Sequence, residues 1–483
     1  MKDISVKIKT NLLLIILLLA NTQYLAAQEK VWTLYECIDQ SLKANVALNQ
    51  IIVNNEINKI NYTQSKASQL PNLNFTDQQS INYGRSFNTG DGQSSGSQTY
   101  SSNNLALTSN ITIYNGLKDI NLIKENKLNC EAGNLDITKA KNDLMLNVVA
   151  AYMQVLFEYE AVNIAQTQID VTTEHLKYTE KYVKAGSLPE SNLMQMQAQL
   201  ATDNAAKVAV ETQLQIAKVI LMQLIEIPVT DRFDIERPVI ADITPEIPKK
   251  PEEIYQVAEN ILPDVKSAVT KTSAAIIGLK VARSEVLPKI TLTGSLGTGY
   301  SSTNSLVSYH TASGVTNIGY LGSNPSELVY GQTTTTTTST SNYPVFRQFG
   351  DNFGPGISLN LTVPIFNNLQ FKSDIERSKV TVKVAKLNES AVKKQLRKAI
   401  EQAYTDLVAA SKNYNAISQQ LIAEERSFHD ITLKFKAGLI NITDFFVEKN
   451  NFSKAQLALL QAKYQYVFKS KVVAFYTGNP VTQ

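Results

Sequence analysis

The sequence predicts a membrane β-barrel joined to a long α-helical coiled-coil barrel, with two tandem structural repeats in each chain. Three observations lead to this fold class. Segments of the chain recur at a constant offset, which is the signature of an internal structural repeat. Each repeat contains two alternating segments of strand length. Each repeat also contains a very long helical stretch that is almost free of Gly and Pro.

The C-terminal parts of the two repeats are related by an offset of 357 − 105 = 252 residues. A single offset that holds from Leu105 to Gly186 indicates one structural template without insertions. The aligned segments are Leu105–Asn115 with Ile357–Asn367, and Lys184-Ala185-Gly186 with Lys436-Ala437-Gly438. Upstream, Leu70-Pro71 aligns with Leu287-Pro288 at an offset of 217, so the second repeat contains an insertion of 252 − 217 = 35 residues between 292 and 357.

Strands are predicted where apolar and polar residues alternate. In the second repeat the residues on one side are Ile357, Leu359, Leu361, Val363 and Ile365. A period of two over about ten residues is typical of a strand with one apolar face, and this length suits a tilted strand that crosses a bilayer. Pro364 cannot donate to a strand ladder, which predicts the rim of the sheet at this point.

The loop from Gly294 to Phe353 contains the insertion and is rich in Gly, Ser and Thr. It includes six consecutive threonines, Thr333 to Thr338. This composition predicts a flexible or weakly ordered segment. In a membrane barrel of the kind that the resemblance described below implies, the segment is expected at the extracellular end.

Long helices are predicted over 117–185 and 369–437, which together contain a single Gly, Gly133, and no Pro. Apolar residues in both stretches step by four and three in turn, which is a heptad seam and favours coiled-coil packing. The seam of the second repeat begins Leu396, Ile400, Ala403, Leu407 and that of the first Leu144, Val148, Ala151, Val155. An ordinary helical-bundle core is the alternative interpretation, but helices of this length are rare in globular domains.

Each long helix is predicted to end in a tight turn and run back as a second helix. Lys184 and Lys436 stand in the last helical turn, where cations favour the helix dipole, and Gly186 and Gly438 supply the left-handed residue that ends a helix. The predicted caps of the returning helices are Ser187 with Glu190, or Ser191, in the first repeat and Asn441 with Asp444 in the second.

The N-terminus predicts export. Three lysines within residues 2–9 precede an apolar run, Leu12 to Ala20, and the small residues Ala26-Ala27. This is the pattern of a secretory signal peptide, with cleavage expected after Ala27. The two cysteines, Cys37 and Cys130, do not form a disulfide framework, although one bridge is possible in an oxidising compartment.

Composition argues against several classes of function. The formal net charge is +3 without a basic stripe, so nucleic acid is not implied as a partner. The three histidines, His175, His310 and His429, are scattered, so no metal site and no cofactor are expected. The sequence contains no Gly-rich phosphate loop and no nucleophile elbow, so an enzyme is not expected.

Four predicted strands per chain cannot close a membrane barrel, because open strand edges are not tolerated in lipid. Two chains would give eight strands, filled by side chains, and three chains would give twelve, wide enough for a lumen. The sequence therefore predicts several chains that share one barrel.

The chain resembles the TolC-like outer-membrane efflux proteins, also called outer membrane factors, over nearly its whole mature length. The residues that carry the resemblance are Trp32–Leu42 with Asn45, the Leu-Pro before each strand pair, Ile113–Gly116, Ile365–Asn368, Tyr182–Leu188 and Phe435–Ile440. No single motif is specific, whereas the ordered set in both repeats is. The resemblance implies a homotrimer with a twelve-stranded barrel in outer-membrane lipid and a twelve-helix tunnel in the periplasm.

The resemblance also implies a passive exit duct of a tripartite efflux or type I secretion system, coupled through a periplasmic adaptor protein to an inner-membrane pump. Adaptor contacts are expected at the two turns furthest from the membrane: Ala185, Gly186, Ser187, Leu188, Ala437, Gly438, Leu439 and Ile440. The implied divisions are a signal peptide (1–27), a first repeat (28–225), a linker or equatorial segment (226–252), a second repeat (253–478) and a tail (479–483). A coiled-coil or adhesin-like surface protein is the alternative function, and the paired amphipathic strands argue against it.

A periplasmic constriction is implied at Asp444, with Asn192, Phe445 and Phe446. Three copies of Asp444 around an axis would form a ring of carboxylates that attracts cations. Family members with the best-known lock have a second acidic ring and an arginine–aspartate pair, and the matching places here are Val447, Ile440 and Asn192. No salt-bridge lock is therefore expected, and closure would depend on Ile440, Phe445 and Phe446. The alternative interpretation is that Asp444 only caps the helix after Asn441.

Overall fold

The computed structural model describes residues 30–85, 96–238, 249–323 and 325–479. The predicted signal peptide, part of the linker and all but one residue of the tail lie outside the described residues. The chain forms two compact units. The first is Met1–Lys59, Leu128–Ser273 and Lys383–Gln483, and the second is Ile60–Lys127 and Ala274–Val382.

The helices among the described residues are α1 (Leu34–Ala44), α2 (Val46–Ala67), α3 (Lys118–Lys184), α4 (Glu190–Leu224), α5 (Pro251–Ile261), α6 (Pro263–Ser284), α7 (Val345–Asp351), α8 (Gln370–Lys436) and α9 (Ile442–Tyr476). The strands are β1 (Val31–Trp32), β2 (Asn74–Gly84), β3 (Gln98–Tyr114), β4 (Asp234–Ile235), β5 (Lys289–Ser301), β6 (Ser305–Tyr320), β7 (Leu328–Asn342) and β8 (Gly354–Thr362).

The internal repeat is confirmed element by element. The long helices α3 and α8 have 67 residues each, and the returning helices α4 and α9 have 35 residues each. Each pair is displaced by the predicted 252 residues. The preceding helices α1 and α2 have the same lengths as α5 and α6, 11 and 22 residues, at an offset of 217. We call α3–α4 the first hairpin and α8–α9 the second hairpin.

The second unit contains the four predicted strands in one antiparallel sheet of order β2-β3-β5-β8. Apolar residues oppose each other across it: Ile111 pairs with Leu292, and Leu292 pairs with Leu359. One face of the sheet is therefore apolar, because directly opposed residues share a face. Strand β8 ends before Pro364, as predicted, but Val363 and Ile365 lie beyond it, so the predicted strand was too long.

The prediction of a weakly ordered loop from Gly294 to Phe353 is wrong. Within it, β6 and β7 pair over almost their whole length, with Tyr309 opposite Thr338 and Thr311 opposite Thr336. Threonine is β-branched and suits a pleated strand, and its hydroxyl bonds across the ladder, as between Thr316 and Thr333 at 2.8 Å. The polar composition of this segment therefore did not indicate that it forms a regular pair of antiparallel strands.

The first unit contains the main apolar core. The seam residues Leu144, Val148 and Val155 of α3 are buried, and so are Leu396, Ile400 and Leu407 of α8. These positions confirm the predicted heptad seams.

Part of the predicted linker also belongs to this core. Strand β4 pairs in parallel with β1, and the neighbouring Phe233 is buried. The hydroxyl of Tyr152 donates to the carbonyl of Glu236 at 2.7 Å. A fully solvated linker is therefore excluded for these residues. Cys37, inside α1, and Cys130, on α3, are both free thiols.

Candidate functional site: the hairpin tips

Both hairpins turn through the same backbone motif, at places 252 residues apart. Gly186 has φ +74° and Gly438 has φ +72°, which is the left-handed conformation predicted from the sequence. The amide of Ser187 donates to the carbonyl of Tyr182 at 2.8 Å, and the amide of Leu439 donates to that of Lys434 at 2.9 Å. With the amide of each glycine bonded three residues back, these bonds form a Schellman motif at each tip.

The returning helices begin differently. In the second hairpin Asn441 caps α9, because its side-chain oxygen accepts from the amide of Asp444 at 2.8 Å. In the first hairpin the prediction of a Ser187 or Ser191 cap is wrong, because Pro189 occupies the cap position and makes no side-chain bond. Proline has no side-chain acceptor, and its φ of −68° suits the extended cap conformation.

The residues predicted to contact an adaptor surround these turns. Six of them are exposed: Ala185, Gly186, Ser187, Ala437, Gly438 and Leu439. Leu188 and Ile440 are half-buried, and Ile440 packs against the apolar cluster below the tip. A Cβ atom added at Gly186 or Gly438 would meet no atom within 4 Å. The tips therefore present small, sterically open turns.

The residues predicted to form a constriction separate into two groups. Asp444 is exposed, and Asn192 and Phe446 are half-buried. Phe445, in contrast, is fully buried within its own chain, where its ring stacks on Phe435 at a centroid distance of 4.7 Å. Phe445 is thus part of the subunit core and is not available for contacts between subunits.

An aromatic cluster, formed by His175, Phe428, Phe435 and Phe445, underlies the tips. The ring of His175 lies 4.5 Å from that of Phe445 and 5.7 Å from that of Phe435. Burial lowers the pKa of His175 to about 4, and the positive charge of Lys436 acts in the same direction. Nδ1 of His175 has no hydrogen-bond partner among the described residues. The imidazole is therefore neutral and belongs to the apolar core.

A buried ion pair joins the two hairpins above this cluster, and the sequence analysis missed it. Lys449 on α9 contacts the carboxylate of Asp203 on α4 and donates to Oγ1 of Thr172 on α3 at 2.5 Å. All three residues are buried. Burial lowers the pKa of Lys449, and the hydrogen bond to Asp203 opposes this effect. One signal was present, because Asp203 follows Met196 by seven residues and Lys449 follows Ile442 by seven, which are seam spacings.

A metal site is not found in the part of the chain that the structure describes. His, Cys, Asp and Glu side chains there form no group of three or more that could hold a metal ion. No helix among the described residues has the length and apolar character needed to cross a membrane.

The sequence and the fold of this chain resemble those of known proteins. A model of the outer membrane efflux protein family matches residues 37–225 and 254–479. Outer membrane efflux protein BepC of Brucella suis is 19% identical over 448 residues, which is 92% of this chain and 85% of BepC. Pyoverdine export outer membrane protein OpmQ of Pseudomonas putida is 27% identical over 202 residues, 41% of each chain.

Two solved structures share the fold. The outer membrane protein VceC of Vibrio cholerae aligns with a TM-score of 0.73 and 14% identity over 93% of this chain and 96% of VceC. The CmeC outer membrane channel of Campylobacter jejuni aligns with a TM-score of 0.71 and 18% identity over 92% of this chain and 85% of CmeC.

A sheet of four strands and two long helical hairpins, supplied by two tandem repeats, defines the TolC-like class of outer-membrane transport proteins. The chain belongs to the outer membrane efflux protein family, because the family model covers both repeats. The family consists of transport channels, as the sequence resemblance implied.

Proposed function

We propose that three copies of this chain form an export channel in the outer membrane of a Gram-negative-type cell. The channel is the passive exit duct of a tripartite efflux or type I secretion system, and it is not an enzyme. A periplasmic adaptor protein couples it to an inner-membrane pump, which supplies the energy.

The open sheet of the second unit carries this proposal. Strands β2 and β8 each have one neighbour in the sheet, so both edges have unpaired backbone groups. On β8, Ile357 is 84% exposed and Leu359 is 66% exposed in the single chain. An apolar face suits lipid, and backbone groups in lipid must be paired. Three copies of four strands give twelve strands, which close the edges and leave a lumen.

The purified full-length protein in detergent is expected to be a trimer by native mass spectrometry and to conduct ions in planar bilayers. A coiled-coil surface protein would form no conducting pore. A monomer or dimer as the main folded species would contradict the twelve-strand arrangement.

The tips are the proposed contact with the adaptor, because six of their residues are exposed and both turns are open.

Gly438→Val is expected to reduce export strongly while trimers still assemble. The strain of a β-branched residue at φ +72° is on the order of 1–2 kcal/mol, and no steric clash adds to it. Export is measured in cells, and assembly by native mass spectrometry. Gly350→Val is the matched control, because a Cβ there also meets no atom and its φ is not positive. Normal export by Gly438→Val trimers would show that the tip does not contact the adaptor.

Asp444 is the proposed source of an acidic ring in the lumen. Its backbone amide makes the bond to the Asn441 cap, and its exposed carboxylate makes no hydrogen bond or ion pair among the described residues. Asp444→Asn is expected to reduce cation selectivity and divalent-ion block in single-channel recordings, because the ring loses its charge. Asn441→Ala is the control: it removes the cap, at a cost of about 1 kcal/mol, and leaves selectivity unchanged. If Asp444→Asn has no effect on selectivity, Asp444 is only a helix-terminal residue.

A further inference from the structure

The insertion in the second repeat forms an antiparallel pair of strands, β6 and β7, that is separate from the four-stranded sheet. The two strands have 16 and 15 residues, and their register is continuous apart from one irregularity after Asn317. At about 3.3 Å per residue, this strand pair is on the order of 50 Å long. We call it the β6–β7 ribbon.

The base of the ribbon is fixed beside the end of β5. Gln348 of α7 is buried, and its side chain accepts from the amide of Ser301 at 3.0 Å and donates to the carbonyl of Tyr343 at 2.8 Å. The amide of Ser302 donates to the carbonyl of Ser101 on β3 at 2.9 Å. The ribbon therefore begins at the rim of the four-stranded sheet.

Beyond its base, the ribbon is uncovered on both faces and along both edges. Residues Thr311 to Ile318 of β6 are all exposed, and so are Thr334 to Asn342 of β7. Among the described residues, β6 and β7 pair only with each other, so each strand has one outer edge that joins no further strand. A two-stranded ribbon by itself is only marginally stable in water.

The outer edges of the ribbon lack the features that usually prevent pairing with another chain. Exposed edge strands are commonly protected by Lys, by Pro or by other charged residues. Strands β6 and β7 contain no Lys, Arg, Asp, Glu or Pro. Instead, six β-branched threonines in a row, Thr333 to Thr338, favour extended backbone. The ribbon is thus a template for the addition of further strands.

We propose that the β6 edge of one copy pairs with the β7 edge of the next copy, so that three ribbons form a ring of six antiparallel strands at the exit of the channel. This inference rests on the proposed trimer. Because β6 and β7 are antiparallel within a ribbon, β6 is also antiparallel to β7 of its neighbour in the ring. Each copy supplies one edge of each kind, and such a contact closes under three-fold symmetry.

A second copy of the chain is the occupant because three ribbons start from one rim. Strands about 4.8 Å apart and tilted by about 40° give a twelve-stranded barrel a radius of roughly 12 Å. Equivalent points on three copies are then about 20 Å apart, which is less than half the length of a ribbon. No charge in β6 or β7 opposes the approach of identical ribbons. A ring of six strands is narrower than a barrel of twelve, so the ring narrows the exit.

Hydrogen exchange of the backbone amides tests this arrangement without knowledge of the register between copies. In a separate ribbon, alternate residues of each strand donate across the single ladder, so at most about half of the amides are protected. In the ring, both edges are paired, and nearly all amides of β6 and β7 are expected to exchange slowly. Mass spectrometry of peptides from the detergent-solubilised full-length protein measures this difference.

Thr334→Lys/Thr336→Lys is expected to open the ring, because it brings six like charges together when three ribbons pair. Both positions are exposed and share a face of β7, opposite Ser313 and Thr311. Protection of the β6 and β7 amides is expected to fall to half or less, while native mass spectrometry still shows trimers. The matched control is Thr334→Val/Thr336→Val, which keeps the β-branched shape without charge and should keep the protection.

Disulfide formation between chains tests which copy supplies the partner strand. In a background without Cys37 and Cys130, two differently tagged chains are produced together. One carries Thr336→Cys, and the other carries one cysteine on the same face of β6, at Val307, Tyr309, Thr311, Ser313 or Val315. At least one of these positions is expected to give a mixed-tag disulfide on a denaturing gel.

Cysteines on the opposite face of β6 are the control for specific pairing. Neighbouring residues of a strand point to opposite faces, so little mixed-tag disulfide is expected at Ser308, His310, Ala312 or Gly314. Equal yields on the two faces would indicate random collision of the ribbons and would contradict the ring.

The outcomes separate this inference from the proposed function. Nearly complete amide protection that the lysine variant abolishes, together with face-specific disulfides between chains, supports the ring. If trimers persist but the ribbon amides are at most half protected, or the disulfides are absent, the ring is wrong and the trimeric channel stands. If the unmodified protein forms no trimer, the proposed function fails as well.

Discussion

Lys449→Met is expected to lower the free energy of unfolding of the first unit by about 3–5 kcal/mol, because it leaves a buried carboxylate without its cation. Lys449 is 1% exposed and Asp203 is 8% exposed, so both charges are largely shielded from bulk water. The same substitution removes the donor to Thr172, which is one of several polar links between the two hairpins.

Urea unfolding followed by far-ultraviolet circular dichroism measures this effect. Asp203→Leu added to Lys449→Met is expected to recover most of the loss, since replacing both charges of a buried pair with apolar groups is often neutral or stabilising. Lys454→Met, at an exposed position of the same helix, is the matched control, with an expected change within about 0.5 kcal/mol. Equal stability of the two single variants would show that the buried pair does not stabilise the hairpins.

Acidification from pH 6.5 to about 4 is expected to destabilise each folded chain by about 3 kcal/mol through His175 alone. In this window the unfolded chain protonates His175 and the folded chain does not. The unfolded state then binds more protons, so the free energy of unfolding falls as the pH falls. Below pH about 4 both states are protonated and this contribution no longer changes.

The variant His175→Phe isolates this effect, because it keeps an aromatic ring against Phe435 and Phe445 and removes the titrating group. Its free energy of unfolding is expected to depend less on pH between 6.5 and 4 than that of the unmodified protein. His429→Phe, at an exposed site on α8, should keep the original pH dependence. An identical slope for His175→Phe and the unmodified protein would show that His175 is not buried in its neutral form.

Much of the fold could be predicted from the sequence because its determinants are local or periodic. The 252-residue offset, the heptad seams and the two tip glycines each depend on spacing or on one backbone conformation. The four strands of the sheet were predicted in the same way, from the alternation of apolar and polar residues. The cap at Asn441 was predicted because capping involves residues within one helical turn.

Local sequence patterns also gave two wrong predictions. They did not anticipate that Pro189 would take the cap position of α4, or that a threonine-rich loop would pair as β6 and β7. Composition describes how polar a segment is, whereas strand pairing depends on which residues oppose each other. In the β6–β7 strand pair, threonines lie opposite small and polar residues such as Ser313 and Thr311.

By itself, the sequence determined the repeat architecture, the helix lengths and the turns of this protein. The tertiary structure alone decided that Phe445 is buried within its own chain, that Asp203 meets Lys449, and that one face of α4 is uncovered. The physical reason is that a heptad pattern defines which side of a helix is apolar but not which helix covers it. That choice depends on the rotation and register of helices far apart in sequence, which only their packing establishes.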